Sequence, residues 1–244
     1  MKKSRGSGNI KNHLIGRSLS WMGLFLVLSI YPLSLSYGAI LNLTDGNFAD
    51  WSSSLFITGQ GTAQVIRFDA GGNPDYGLSI ATNITSNTVY GIALKNDFLW
   101  DMATQGGIND IKMSVDVKGI STGGDGQNVV MIALQDGQYY FGPYDGVLTS
   151  ASTEWHRIGF DSLSEQDFVL WGDSSQHPDF SADGSPVKFG FAAGNTSCSR
   201  THYYDNWEIS FNYSPVSSVP IPGAALLLGS GLLGIVGFRR WFKS

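Results

Sequence analysis

The chain has 244 residues, a formal net charge of −5 and a single cysteine, Cys198. One cysteine excludes a small fold stapled by internal disulfides, and leaves a thiol that either pairs between molecules or stays buried and inert. Residues 1–38 and 219–244 carry basic side chains and no acid, whereas residues 39–218 hold seven Lys or Arg and all 20 Asp and Glu, a formal −13 (7 − 20). A segment this acidic should repel nucleic acid, so we expect no nucleic-acid partner.

The amino-terminal zone has the pattern of a secretory signal. Five basic residues precede an apolar stretch from Leu19 to about Leu35, and Ser36 and Gly38 then supply small side chains at the −3 and −1 positions of a cleavage site. This order is typical of a signal peptide. We therefore predict a signal helix within residues 1–38, delivery to the Sec translocon and cleavage after Gly38, with an uncleaved anchor as the alternative.

Residues 39–213 have the pattern of an all-β domain. Ile111–Val117 and Val187–Phe191 alternate apolar and polar side chains with the period of a strand, and Val129–Leu134 is a short apolar run that suits a buried strand. Six further strand candidates are Ala63–Phe68, Tyr76–Thr82, Thr88–Leu94, His156–Phe160, Phe168–Trp171 and Tyr204–Phe211. Gly- and Asp-rich turn signals lie between them, and Phe98–Gln105 is a candidate short helix. The fold class predicted is a single antiparallel β-sandwich, jelly-roll-like, of about 175 residues.

Two motifs at the ends of this domain resemble galactose-binding-like carbohydrate-binding jelly rolls. Asp45-Gly46-Asn47-Phe48-Ala49 is similar to the family's opening Asn-Gly-x-Phe-Glu, and Asp205-Asn206-Trp207 is similar to its closing Asp-Asn-Val. The resemblance implies a structural calcium held by Asp205 and an opening carboxylate. The family's Glu falls on Ala49, which leaves Asp50 or Asp45 as a substitute ligand. The alternative is that Asp205 caps a turn.

Aromatic side chains are candidates for a glycan-binding groove, because sugar rings stack their C–H faces on flat aromatic surfaces. The segment Tyr139–Tyr144 places four aromatic residues on a turn-rich stretch, where consecutive side chains cannot all point inward. We predict that Tyr140, Tyr144 and Trp171 line the groove. The alternative is that they belong to the core, where aromatic residues of a sandwich usually lie.

Catalysis has little support in the sequence. It holds no His-Glu-x-x-His, no phosphate-binding Gly-x-x-x-x-Gly-Lys-Ser/Thr loop and no Cys-x-x-Cys. Glu154 with Glu165 or Glu208 would be the carboxylate pair of a glycosidase, but an acidic domain supplies such pairs by chance. We therefore expect a non-catalytic protein, with a glycan-processing enzyme and a ligand-free coat or adhesive protein as alternatives.

The carboxy-terminal zone follows a short linker, residues 214–218. Residues 221–238 contain no ionisable side chain and would form a helix of about 27 Å, close to the hydrocarbon thickness of a bilayer. Basic residues follow at Arg239, Arg240 and Lys243, and should remain on the cytoplasmic side. This pattern predicts a transmembrane helix over residues 221–238.

The same zone resembles the PEP-CTERM sorting signal, in its Val-Pro-Leu-Pro-Ala variant. The residues that match the start of that signal are Val219, Pro220, Ile221, Pro222 and Gly223, and Leu228–Gly234 matches its Gly-Ser-Gly-Leu-Leu-Gly core. The resemblance implies an exosortase as processing partner and a bacterium that makes exopolysaccharide. A plain stop-transfer anchor is the alternative. We therefore expect an exported protein that stays briefly in the inner membrane and then moves to the cell surface or the exopolysaccharide matrix.

Overall fold

The computed structural model describes residues 38–120, 127–145, 154–196 and 198–216. Twelve strands are found in this part of the chain. They are β1 (Ala39–Asp45), β2 (Trp51–Ile57), β3 (Gln60–Gly72), β4 (Asp75–Ser86), β5 (Val89–Lys95), β6 (Gly107–Gly119), β7 (Asn128–Gln135), β8 (Gln138–Asp145), β9 (His156–Leu163), β10 (Val169–Leu170), β11 (Val187–Asn195) and β12 (Cys198–Ser214). A one-turn helix, α1 (Met102–Gln105), precedes β6, and a 3₁₀ turn (Glu165–Asp167) precedes β10.

The strands form two antiparallel sheets of six strands each. The first sheet has the order β3-β4-β12-β6-β9, with β1 also paired to the long strand β12, and the second has the order β10-β8-β7-β11-β5-β2. The sheets pack face to face. The predicted all-β sandwich is therefore confirmed.

The main core lies between the sheets and follows from the period of two along each strand. In β6, Ile111, Met113, Val115 and Val117 all point inward and are almost completely buried. Large aromatic side chains from both sheets complete this core, among them Trp100, Tyr204, Trp207, Phe189 and Phe211. Burying so many apolar side chains is the main source of stability in a domain without disulfides.

A second apolar cluster covers the opposite face of the second sheet. In β7, Val129, Met131 and Ala133 face the main core, whereas Val130 and Ile132 belong to the second cluster. Because both faces of β7 are buried, its sequence is a continuous apolar run rather than an alternation. The rest of the cluster comes from the neighbouring strands: Tyr90, Ile92, Leu94, Phe141 and Ala192, with Phe56, Leu134 and Tyr139 packed against them. We call this surface the concave face.

Contacts across the concave face show how strongly the second sheet curves. The strands β2 and β8 are four positions apart in the sheet, which is about 19 Å if the sheet is flat. Yet the hydroxyls of Ser54 and Tyr139 lie 2.9 Å apart, and the ring centres of Phe56 and Phe141 lie 4.9 Å apart. Side chains of this length cannot span a flat sheet, so the sheet curls toward this face.

The structure extends the predicted elements in several places. All nine strand candidates lie in observed strands or overlap them, and the candidate helix Phe98–Gln105 is confirmed in its last turn, Met102–Gln105. The prediction missed β1, β2 and β8. The predicted signal helix and the transmembrane helix 221–238 lie outside the described residues. Within those residues, no helix is both long and apolar enough to cross a membrane.

Candidate functional site

A pocket of about 550 Å³ opens at one end of the concave face. Its walls come from β5, β7, β8 and the turn after β10, and they include Tyr144 and Trp171. These two aromatic side chains are 71% and 41% exposed, respectively, whereas most large apolar side chains of the domain are buried. Exposed aromatic rings beside a concave surface are typical of a binding site.

Trp171 is held in place by a tight turn and by other aromatic rings. The turn Leu170–Asp173 closes with a hydrogen bond of 3.0 Å from the amide of Asp173 to the carbonyl of Leu170. Gly172 adopts φ 86°, a conformation that glycine tolerates best. The indole contacts the rings of Phe56, Phe141 and Tyr90 at centroid distances of 5.1, 5.2 and 6.1 Å. Its position is therefore set before any ligand arrives.

A β-bulge in β8 brings Tyr144 to the same face. Val130 pairs with Tyr144 and Ile132 with Phe141, so one residue of β7 opposes two residues of β8, Gly142 and Pro143. The extra residue reverses the alternation along β8. Phe141 and Tyr144 consequently share the concave face, although they are three residues apart.

The same bulge separates Tyr140 from the predicted groove. Tyr140 pairs with Ala133, a residue of the main core, and packs against that core. In a regular strand, Tyr140 and Tyr144 would share a face because they are four residues apart. The structure thus brings together two of the three predicted aromatic residues, Tyr144 and Trp171, and turns Tyr140 away from them.

Sequence analysis missed the buried rings of this surface, which are Phe56, Tyr90 and Phe141. Each lies in an ordinary strand pattern, and the curvature that gathers them is a property of the whole sheet. Burial raises the pKa of the Tyr90 hydroxyl above its usual value of 10.0, against the lowering effect of a hydrogen bond with Asn128. The Tyr90 hydroxyl therefore stays protonated, and its residue forms part of the pocket wall.

The charged side chains that line the pocket are both acidic, Asp167 and Asp173. One oxygen of Asp167 accepts hydrogen bonds from the amide and hydroxyl of Ser164, at 2.7 and 2.8 Å. Hydrogen bonds from Ser175 and Gln176 lower the pKa of Asp173 below its usual 3.8. Among the residues that the structure describes, no Lys or Arg lines this pocket.

The predicted calcium ligands fall into two different environments. The carboxylate of Asp45 accepts hydrogen bonds from the amides of Asn47 and Phe48, the indole of Trp51 and the ammonium of Lys95, at 2.6–3.0 Å. Burial raises the pKa of Asp45, but these hydrogen bonds together outweigh it and hold the pKa below 3.8. Protein donors, including a cation, thus already surround this carboxylate.

Asp205 lies close by in a buried polar network. It accepts hydrogen bonds from the amides of Asn73 and Asn206, and Asp116 lies directly opposite on β6. Burial, with the charges of Asp116 and Asp45, raises the pKa of Asp205 despite these two amide donors.

Asp50 is exposed in the turn before β2. Within the described part of the chain, no group of three His, Cys, Asp or Glu side chains is arranged to hold a metal ion. Calcium stays a prediction.

In the glycosidase alternative, the two candidate partners of Glu154 are Glu165 and Glu208, and these line different pockets. Glu165 lines a second pocket, together with Phe180 and Val216. Glu208 lines a third, on the outer face of the first sheet, and pairs there with Arg157. Glu154, the residue predicted to pair with one or the other, is exposed just before β9.

Comparisons with known proteins give a fold likeness and no family. No family model matches the sequence, and no curated protein matches it. Solved structures similar to this chain include the family 11 carbohydrate-binding module of a cellulosomal cellulase of Clostridium thermocellum, with 12% identity, a TM-score of 0.42, and coverage of 72% of this chain and 96% of that one. A xylan-binding domain from Paenibacillus barcinonensis has 11% identity, a TM-score of 0.40, and coverage of 75% and 99%. A carbohydrate-binding module that recognises mannan has 11% identity, a TM-score of 0.40, and coverage of 71% and 99%. Likeness at this distance says nothing about what this chain binds.

Proposed function

We propose that the sandwich is a non-catalytic glycan-binding domain and that its site is the pocket around Tyr144 and Trp171. The observation that carries this proposal is the placement of two exposed aromatic side chains in one pocket of about 550 Å³. A pocket of this volume is within the usual range for sites that bind small molecules.

The chemistry of the pocket suits a sugar. Indole and phenol rings offer flat apolar surfaces with partial negative charge, which attract the C–H groups on one face of a pyranose ring. The hydroxyls of that ring need hydrogen-bond partners at the edge, and Asp167, Asp173 and Ser174 supply them. An apolar platform with a polar rim is the combination that an amphipathic sugar ring requires.

The rigidity of the platform also favours binding. Trp171 packs on three aromatic rings and lies in a tight turn that contains Gly172. Little side-chain conformational entropy is therefore lost when a ligand stacks on it.

The test is a titration of the full-length protein, in a detergent without a sugar headgroup, with a panel of oligosaccharides. Tyr144→Ala should weaken binding about tenfold or more, the loss typical of a truncated aromatic anchor. Because Tyr144 is 71% exposed, this change should leave folding intact. Tyr76→Ala is the matched control, since Tyr76 is exposed on the first sheet. Absence of binding to any glycan, or equal loss in both variants, would favour the ligand-free coat protein.

We also propose that the domain is exported and sorted. The signal-like residues 1–38 and the PEP-CTERM-like residues 219–244 support this, and both lie outside the described residues. An exosortase would recognise the segment Val219–Gly223, and the exopolysaccharide matrix would then be the setting in which the pocket meets its glycan. Intact-mass analysis of protein from the envelope and the medium tests this. Loss of everything beyond about Val219 supports sorting, and a full-length tail in the inner membrane contradicts it.

A further inference from the structure

We propose that the glycan bound in this pocket is an amino-sugar polymer with free amines, and that the pocket rejects polyuronates and other polyanionic glycans. This inference rests on the proposed function, because it concerns the selectivity of the same site. The observation behind it is the sign of the charges around the aromatic platform.

Among the described residues, the charged side chains that line the pocket are both acidic, and both lie beside the aromatic platform. Asp167 is exposed and is the last residue of the 3₁₀ turn, and the amide of Asp173 closes the turn that carries Trp171. One oxygen of Asp167, Oδ1, has no hydrogen-bond partner among the described residues. A protonated amine on a sugar stacked against Trp171 would find an acceptor there.

Within the described part of the chain, no Lys or Arg lines the pocket that holds the platform. Lys188 lies on the concave face, but it is four residues from Ala192, the partner of Val130 in the pocket wall. Four residues of a strand correspond to about 13 Å, more than the Debye length at physiological ionic strength. The sequence that continues from Tyr144, residues 145–153, contains one acid and no Lys or Arg.

The charge of Asp173 also persists in mildly acidic conditions. Hydrogen bonds from Ser175 and Gln176 keep the pKa of Asp173 low, so its carboxylate stays ionised where the amine of a free amino sugar is protonated. A carboxylated sugar in the same position would face two like charges with no neighbouring cation.

The experiment compares four hexasaccharides that share a β-1,4-linked glucose-type backbone: cellohexaose, chitohexaose, glucosamine hexaose and a glucuronan hexamer. Each is titrated into the full-length protein at mildly acidic pH and at low and high salt. We expect glucosamine hexaose to bind about threefold to tenfold more tightly than cellohexaose, the range for one or two partly screened charge pairs. High salt should remove this advantage, and the glucuronan should bind most weakly.

Matched variants distinguish attraction to the pocket carboxylates from attraction to the negative charge of the whole domain, which would draw any polycation. Asp167→Asn and Asp173→Asn should each weaken the binding of glucosamine hexaose more than the binding of cellohexaose, so that the ratio of the two affinities falls. Asp161→Asn, on the first sheet, removes the same charge elsewhere and should change nothing. Equal effects of all three variants would overturn the inference.

The outcomes distinguish failure of this inference from failure of the proposed function. Binding of neutral and anionic hexamers with equal affinity, lost in Tyr144→Ala, would refute the charge selectivity and retain the glycan site. No binding of any hexamer in the panel would count against both.

Discussion

The buried ion pair between Lys95 and Asp45 should be one of the most sensitive points of the fold. The two groups lie 2.6 Å apart, and each side chain is only 10% exposed. In Asp45→Asn, the amide oxygen can still accept from the backbone of Asn47 and Phe48. The amide nitrogen, however, would face two donors, the indole of Trp51 and the ammonium of Lys95.

The expected cost follows from these contacts. An indole N–H left without an acceptor costs about 1–3 kcal/mol. Removing one partner of a buried ion pair costs about 3–5 kcal/mol, but Lys95 keeps a second carboxylate, Asp97, at 2.9 Å. We therefore expect Asp45→Asn to lower the free energy of unfolding by about 3 kcal/mol. Urea denaturation of the full-length chain, followed by tryptophan fluorescence, measures this loss.

The pH dependence of the free energy of unfolding tests the same prediction independently. The native pKa of Asp45 lies below its usual 3.8, so its contribution is complete above that value and is lost as pH falls through the native pKa. The gap between wild type and Asp45→Asn should therefore narrow on acidification. The pKa of Lys95 is raised above 10.5, because its hydrogen bonds to Asp45 and Asp97 outweigh the opposing effect of burial. Its contribution is complete below 10.5 and is lost at still higher pH.

The control is Asp161→Asn. Asp161 pairs with Lys112 at 3.5 Å, but the side chains are 81% and 56% exposed. Exposed pairs contribute about 0–1 kcal/mol. A loss below about 0.5 kcal/mol in Asp45→Asn, or an equal loss in both variants, would refute the reasoning.

Three further substitutions test the packing of the sandwich by the same denaturation assay. Tyr204→Phe removes the donor to the buried Oε1 of Gln127 and should cost about 1–3 kcal/mol; no measurable loss would contradict that bond. Ile132→Ala, in the second cluster, should cost about 2–5 kcal/mol if the concave face is a true packed core, and a loss under 1 kcal/mol would indicate a loose surface. In Gly190→Ala, the new Cβ would lie 2.0 Å from the carbonyl oxygen of Ala93, so the variant should be destabilised or misfolded, and wild-type stability would disprove this close approach.

Much of the fold could be predicted from the sequence, because a strand buried on one face and a strand buried on both faces differ in their pattern of apolar side chains. β6 alternates because only one of its faces is apolar, and β7 is continuously apolar because both of its faces are buried. β8 was missed because Gly142 and Pro143 resemble a turn, whereas in the structure they form a bulge within the strand. β2 was missed because its serines interrupt the apolar pattern at the edge of the sheet.

The site could be predicted from the sequence less completely than the fold. Exposed aromatic residues can be proposed one by one, and Tyr144 and Trp171 do lie in one pocket. Their partners cannot be found in this way, because Phe56 and Phe141 are 85 residues apart and meet only through the curvature of a six-stranded sheet. The bulge that turns Tyr140 away from the pocket likewise depends on how β7 and β8 pair, and no periodic pattern in the sequence indicates it.

The most direct test of the glycan-binding proposal is the indole N–H resonance of Trp171, followed by NMR as oligosaccharide is added to the full-length protein. Its assignment comes from comparison with Trp171→Phe. The proposal predicts a saturable shift of this resonance, with little change in the buried indoles of Trp100 and Trp207. An oligosaccharide that binds the protein and leaves the Trp171 resonance unchanged would contradict it.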